Sequence, residues 1–234
     1  MYSTITQHTQ WLKQAASRHG FMGVGISRAE HMDDEARHLE EWLSKGYHGE
    51  MSYMTNHFEI RVDPTKLMPG AKSVVSLMYN YYPNPPTNNP PANTPPAPFK
   101  GGALSPPLKG AGGLKISRYA YGEDYHKVVR RKLKALLNDM KTEFGDFHGR
   151  VFVDSGPVME RDWAKRSGLG WIGRNTLLID PKQGSYFFLA EIILDLEFEY
   201  DHPIRDHCGT CTRCIDACPT DAISPEGYVL DGSK

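Results

Sequence analysis

All four cysteines of the chain lie within eleven consecutive residues, Cys208-Gly-Thr-Cys211-Thr-Arg-Cys214-Ile-Asp-Ala-Cys218-Pro219. A disulfide framework would spread its cysteines along the chain, so this crowding points to metal. The spacing matches the bacterial ferredoxin run C-x2-C-x2-C-x3-C-P without a mismatch. Two-residue gaps let three thiolates of one curled loop reach three irons of a 4Fe-4S cluster, and Gly209 leaves room for close approach. The fourth thiolate of such a run serves a second cluster in two-cluster proteins. We therefore expect Cys208, Cys211 and Cys214 on one cluster and Cys218 on another, in a small ferredoxin-like segment over 201–234. A structural zinc site, with His202 or His207 as further ligands, is the alternative; such sites usually pair two separated ligand couples.

The remaining 200 or so residues are long enough for a core of their own. Near-helical spacing of Ile5, Trp11, Leu12, Ala15 and Ala16 predicts a helix stopped at Gly20, followed by a strand at 21–26. Asp33, Asp34 and Glu35 suit the start of a second helix, with Ala36, Leu39, Trp42 and Leu43 as its stripe. The β-branched run 73–79 predicts a buried strand. Ten of the 17 prolines fall in 83–107, which reads as a disordered insertion. Val128, Val129, Leu133, Leu136, Leu137, Met140 and Phe144 share one face of a helix over 125–144, closed by Gly145. Lys127, Arg130, Arg131, Lys132 and Lys134 lie off that stripe, as a solvated face or a contact for an RNA backbone.

A strand at 150–153 delivers Asp154, and Ser155-Gly156-Pro157 opens a helix with Pro157 near its first position. Strands at 177–179 and 185–194 are joined by a turn at 180–184. The expected class is α/β (α+β), with a mixed sheet in a domain over 1–200. Net charge is -1, which gives no global nucleic-acid signature. Neither a membrane span nor a secretory leader is seen, so a cytoplasmic, monomeric protein is expected.

Three separated stretches then give a resemblance. They are Arg118-Tyr-Ala-Tyr-Gly-Glu-Asp-Tyr125-His126, Val151-Phe-Val-Asp154-Ser-Gly-Pro-Val-Met-Glu-Arg161 and Ser167-Gly-Leu-Gly-Trp-Ile-Gly-Arg-Asn175-Thr176. Together with the cysteine run, and over nearly the whole chain outside the insertion, the sequence resembles the epoxyqueuosine reductases. That resemblance implies a cobalamin-dependent enzyme with two 4Fe-4S clusters, which reduces epoxyqueuosine in tRNA to queuosine with electrons from an external donor. It implies Asp154 as proton donor, Tyr125 and His126 on the substrate side, and corrin contacts at Arg61, Ser117, Asn175, Leu178 and Leu189, partly through backbone. From Asp-Ser-Gly-Pro alone, Asp154 reads more readily as a helix N-cap, and a histidine at a helix start is more often structural.

Gly168, Gly170 and Gly173 would let backbone approach a flat ligand; no strand precedes them as in a dinucleotide site. No Asp-x-His-x-x-Gly run is present, so a base-off corrin without a protein axial ligand is expected. The resemblance also implies that the chain stops, at Lys234, before the family's second cysteine set. The competing readings are a ferredoxin-like electron carrier and a cobalamin-dependent reductase of another small substrate, such as a halogenated compound.

Overall fold

The structure, a computed structural model, describes residues 4–81, 118–120 and 122–234. The proline-rich tract and Ser117 lie outside the described residues. In chain order the elements are α1 (Thr4–Arg18), β1 (Gly23–Arg28), α2 (Asp33–Ser44), α3 (Phe58–Val62), α4 (Pro64–Leu67), β2 (Ser73–Asn80), α5 (Tyr125–Phe144), β3 (Gly149–Phe152), α6 (Glu160–Arg166), β4 (Trp171–Ile172), β5 (Leu178–Ile179), β6 (Phe187–Leu194) and α7 (Arg213–Asp216). Four strands make one sheet in the order β1-β2-β6-β3, and β4 pairs with β5 separately.

Every pairing is antiparallel. The α+β class is as expected, while the mixed strand directions expected of the sheet are not found among the described residues. β2 and β6 sit in the middle with both faces covered, which is why β2 reads as a continuous apolar run and not as an alternation. On one face Val75, Leu77, Ala190, Ile192 and Leu194 meet Leu12, Ala15 and Ala16 of α1 and Val129, Leu133, Leu136 and Met140 of α5. These are the apolar stripes that the helical spacing picked out. Ile5 is the exception, since it sits exposed in the first turn.

The other face packs under α6 and the α2–α4 segment. It divides into two apolar clusters, one around Val74, Phe152, Trp163 and Ile193 and one around Met78, Ala164, Leu169 and Phe187. Between them the strand register lines up Gly25, Ser76, Glu191 and Phe152 across the sheet. Gly25 is the point where α6 ends on β1. A Cβ there would lie 2.5 Å from both the carbonyl oxygen and Oγ of Ser167.

The strands joined by the 180–184 turn are found where expected and belong to different sheets. β5 turns back on β4, and the 180–184 turn closes on itself through Asp180 and Gly184, leaving β6 to join the large sheet. Two local expectations are corrected. The helix after Asp154 begins three residues later than expected, at Glu160 with Met159 as N-cap, so Pro157 belongs to the preceding loop. Gly168, Gly170 and Gly173 face protein backbone or side chain, not an open surface: added Cβ atoms would meet His202 O, Ile179 O and Ile179 Cδ1 at 2.5, 2.4 and 2.5 Å. They allow chain to pack on chain.

The cysteine segment is small but tied down. Lys13 and the Ile26 amide bind the Asp201 carboxylate at its start. Near its end the Trp42 indole donates to Leu230 O and the Gly232 amide to Tyr47 O.

Gly25→Ala should cost about 1–3 kcal/mol of stability, because the Ser167 backbone has to move; urea unfolding against the wild type measures the difference.

Candidate functional site

α5 starts on Asp124, whose Oδ1 accepts the His126 amide at 3.0 Å as an N-cap. The cap fixes the first turn, and that turn projects Tyr125 and His126 side by side, their rings stacked 4.0 Å apart. Phe188 of β6 lies parallel to the other face of Tyr125, at 4.0 Å and 4°. Opposite them stands Asp154, two residues past the end of β3, in the left-handed region at φ 58°. That conformation is uncommon for a non-glycine residue and needs outside support. It also excludes the N-cap reading, as α6 starts six residues on.

Support comes from three contacts. The Tyr125 hydroxyl donates to Asp154 Oδ2 at 2.6 Å, His126 Nε2 lies 3.1 Å from the same oxygen, and the Asp154 amide donates to Glu160 Oε1 at 2.6 Å. Asp154 Oδ1 takes part in none of them, and the side chain remains 60% exposed. Burial, then the Asp154 carboxylate, raises the Tyr125 phenol well above its ordinary value, so it stays a donor.

His126 has a second constraint, because Nδ1 faces Asp124 Oδ1 at 2.9 Å. Both ring nitrogens thus face carboxylate oxygens. A neutral imidazole donates through only one nitrogen, so full pairing requires one more proton, on the ring or on Asp154.

The sequence reading missed Glu160 and Glu191. Burial pushes Glu160 up to about 7, against lowering by the Asp154 amide and by Glu191. Glu191 is 0% exposed and raised well above the carboxylate range by burial first and by Glu160 second. Neither of its oxygens has a donor among the described residues. Two carboxyl groups that face one another bond only through a shared proton, so the pair is satisfied by one proton held between them. A signal existed in the sequence: Glu191 is the single charged residue inside an otherwise apolar strand run.

Beside Asp154 opens a cleft of about 530 Å³ lined by Asp124, His126, Lys127, Arg130, Arg131, Lys134 and Ser155. Four of the six Lys and Arg side chains of α5 therefore border it. Lys132 does not; it turns away to donate to His19 O at 3.0 Å. Arg130 reaches Ser155 Oγ at 3.4 Å, next to Asp154. Past Phe188, Tyr81 and Tyr119 extend the aromatic wall, and Tyr119 and Tyr186 are half exposed.

Of the expected corrin contacts, Leu178 and Leu189 share one apolar cluster, and Ser117 lies outside the described residues. Arg61 donates to the backbone oxygens of Asn56 and Tyr53 at 3.2 and 3.3 Å. Asn175 accepts from the Leu177 amide at 3.2 Å, in the turn that Arg161 reaches through Thr176 O. Leu178 is 3% exposed within the apolar cluster and Leu189 packs on it, leaving backbone as their contribution.

In the cysteine segment the Cys208 amide is held by Asp206, and the Trp171 indole N–H points at Cys208 Sγ at 3.4 Å. Backbone amides of Thr220, Ile223 and Ala222 draw Cys218 down to about 7. Amide and indole donors aimed at sulfur suit thiolates that ligate a cluster. Among the described residues no three His, Cys, Asp or Glu side chains are arranged to hold a single ion, and no helix is long and apolar enough to cross a membrane.

The family model described as "Epoxyqueuosine reductase QueG, DUF1730" matches residues 61–155. The epoxyqueuosine reductase of Cyclobacterium marinum is 53% identical over 99% of this chain and 68% of its own length. The structure of epoxyqueuosine reductase from Streptococcus thermophilus aligns with a TM-score of 0.80 at 28% identity, covering 96% of this chain and 55% of that one. A crystal structure of epoxyqueuosine reductase with an epoxyqueuosine-modified tRNA-Tyr stem loop gives 0.77 at 31% identity, over 96% and 55%. The chain thus spans about two thirds of its curated relative and little more than half of the solved chains.

A group whose folded pKa is raised stabilises fully below its unfolded value, near 4.5, and loses that contribution as pH rises through the folded value. For the Glu160–Glu191 pair the loss therefore begins near pH 4.5 and runs to about pH 7 for Glu160 and further up for Glu191. Glu191→Gln should therefore gain on the wild type at pH 8 by on the order of 1–3 kcal/mol and lose that advantage at pH 5, as chemical denaturation at the two pH values will read.

Proposed function

The chain belongs to the epoxyqueuosine reductase family, and from that premise we propose that it reduces epoxyqueuosine in tRNA to queuosine, with Asp154 as the proton donor. The observation that carries the proposal is the Asp154 carboxyl held by Tyr125 and His126 at the mouth of a cationic cleft. An electron carrier needs neither a positioned acid nor a cleft.

Converting an epoxide to an alkene consumes two electrons and two protons and releases the oxygen as water. An alkoxide is a poor leaving group, so a proton has to arrive as the carbon–oxygen bond opens. Asp154 is suited to deliver it. Its Oδ2 is held by Tyr125 and His126, its Oδ1 takes part in neither contact, and the side chain is 60% exposed beside the cleft. The proton that full pairing of His126 requires lies on the Asp154–His126 contact, so His126 can return a proton to Asp154 after donation, with Asp124 holding the ring in place. Tyr125 stays protonated throughout and keeps the carboxyl oriented.

The aromatic wall of Tyr119, Tyr125, Tyr186 and Phe188, with backbone around Asn175, Leu178 and Leu189, is proposed to hold cobalamin, and Cys208, Cys211, Cys214 and Cys218 to hold iron–sulfur clusters. The chemistry supplied by these groups is a low-potential electron pair, within reach of clusters that go down to about -700 mV. Arg61 donates through Nε and Nη2 to the backbone of Asn56 and Tyr53, and the corrin contact proposed for it falls to Nη1. Lys127, Arg130, Arg131 and Lys134 are proposed to take the phosphates of the tRNA stem, as such cations do without base preference.

The decisive experiment uses the full-length protein prepared without oxygen and reconstituted with iron, sulfide and cobalamin. Corrin absorption and conversion of an epoxyqueuosine stem loop are expected; a protein that takes up no corrin removes the proposal. Asp154→Asn should lower turnover by about 10²–10⁴-fold with the corrin still bound. Retained turnover would end the assigned role. Arg130→Ala and Lys134→Ala should each weaken stem-loop binding alike for all sequences and flatten the slope of log K against log salt by about 0.7–0.9; an unchanged slope would show that the cleft does not touch the backbone.

A further inference from the structure

The buried carboxyl pair behind Asp154 takes no part in the chemistry above, and its placement gives it a different task. Glu160 reaches the turn through the Asp154 amide, at 2.6 Å, and not through the Asp154 carboxyl. That amide belongs to a residue with φ 58°, a backbone state that does not persist by itself in a non-glycine residue. Glu191, from the middle of the sheet, holds the Glu160 carboxyl from below. We propose that Glu160 is a positioning residue for Asp154, whose ionised carboxylate, held by a proton on buried Glu191, docks the Asp154 turn. The inference rests on Asp154 being the proton donor.

The groups that face Glu160 can be named element by element. Glu191 comes from β6, Arg161 from α6 itself, Asp154 from the turn after β3 and Tyr125 from α5. Burial makes ionising both carboxyls too costly, so one proton stays in the pair. It sits on Glu191, the member without access to solvent. Glu160 is then the anion, and an N–H bond to an anion is about twice as strong as one to a neutral acceptor. A second proton, taken up as pH falls through about 7, neutralises Glu160 and weakens the dock. The cross-strand neighbour Ser76 has a buried Oγ without a partner among the described residues, so the polar layer around Glu191 keeps an unused donor.

Hydrogen exchange of the Asp154 amide in the resting full-length protein tests this without turnover. Corrected for intrinsic exchange, protection of this amide should fall roughly tenfold between pH 8 and pH 6 in the wild type. In Glu160→Gln it should be low and independent of pH. Glu191→Gln still donates to Glu160 and should keep the pH step, whereas Glu191→Leu removes the donor and should move the step to higher pH. Protection in Glu160→Gln equal to that of the wild type would overturn the inference. A flat wild-type profile from pH 6 to 8 would do so by itself, even with a Glu160→Gln protein that does not fold. Turnover that survives Asp154→Asn is a separate failure, since it removes the catalytic reading and leaves the exchange result standing.

Discussion

The antiparallel ladder between β2 and β6 fixes everything above it. Its register pairs Ser73 with Leu194 and continues without a break to Asn80 with Phe187. Side chains alternate between the two faces, so a slip of one residue would exchange the faces of the whole strand. In the observed register Phe188 faces α5, where it stacks on Tyr125, while Glu191 faces α6, beneath the residue that holds the Asp154 turn. One strand thus sets both the aromatic and the acidic side of the site.

The helix-covered face around Glu191 shows what that arrangement costs the core. An unpaired buried carboxylate would be far more expensive than the few hydrogen bonds around it could offset. The pair is stable because a shared proton removes one of the two charges and joins the oxygens. A polar layer here separates two apolar clusters that could otherwise have merged into one. Leucine in place of Glu191 would fill the layer with apolar atoms, and the loss would fall on the placing of Asp154, not on the fold.

Much of the architecture is legible in the order of the residues alone. The stripes on α1, α2 and α5 are helical because their apolar residues recur at the helical period, and β2 is central because its run leaves no polar face. The two strands joined at 180–184 are legible, but their partners are not, for a physical reason: the turn looks the same whichever strand follows, and only the large sheet decides that β6 pairs with β2. The late start of α6 has a similar origin, because Pro157 is compatible both with a first helical turn and with a loop. Of the site, Asp154, Tyr125 and His126 are legible through motif resemblance, while Glu160, whose pairing spans 31 positions to Glu191, is not.

The glycines at 168, 170 and 173 draw the line most clearly. Their spacing implies that backbone must approach something closely there, and it does. What it approaches is the carbonyl of His202 and the Ile179 strand, which no spacing rule can name. The sequence by itself determined α1, α2, α5 and β2, the α+β class and the four clustered thiols, since these depend on local periodicity and on neighbours a few residues apart. Only the tertiary structure decided that Glu160 and Glu191 meet under the Asp154 turn, that four cations line one cleft while Lys132 turns away, and that the cysteine segment is fastened to α2. Each of these requires residues far apart in the chain to meet, and burial, not residue type, sets what they become.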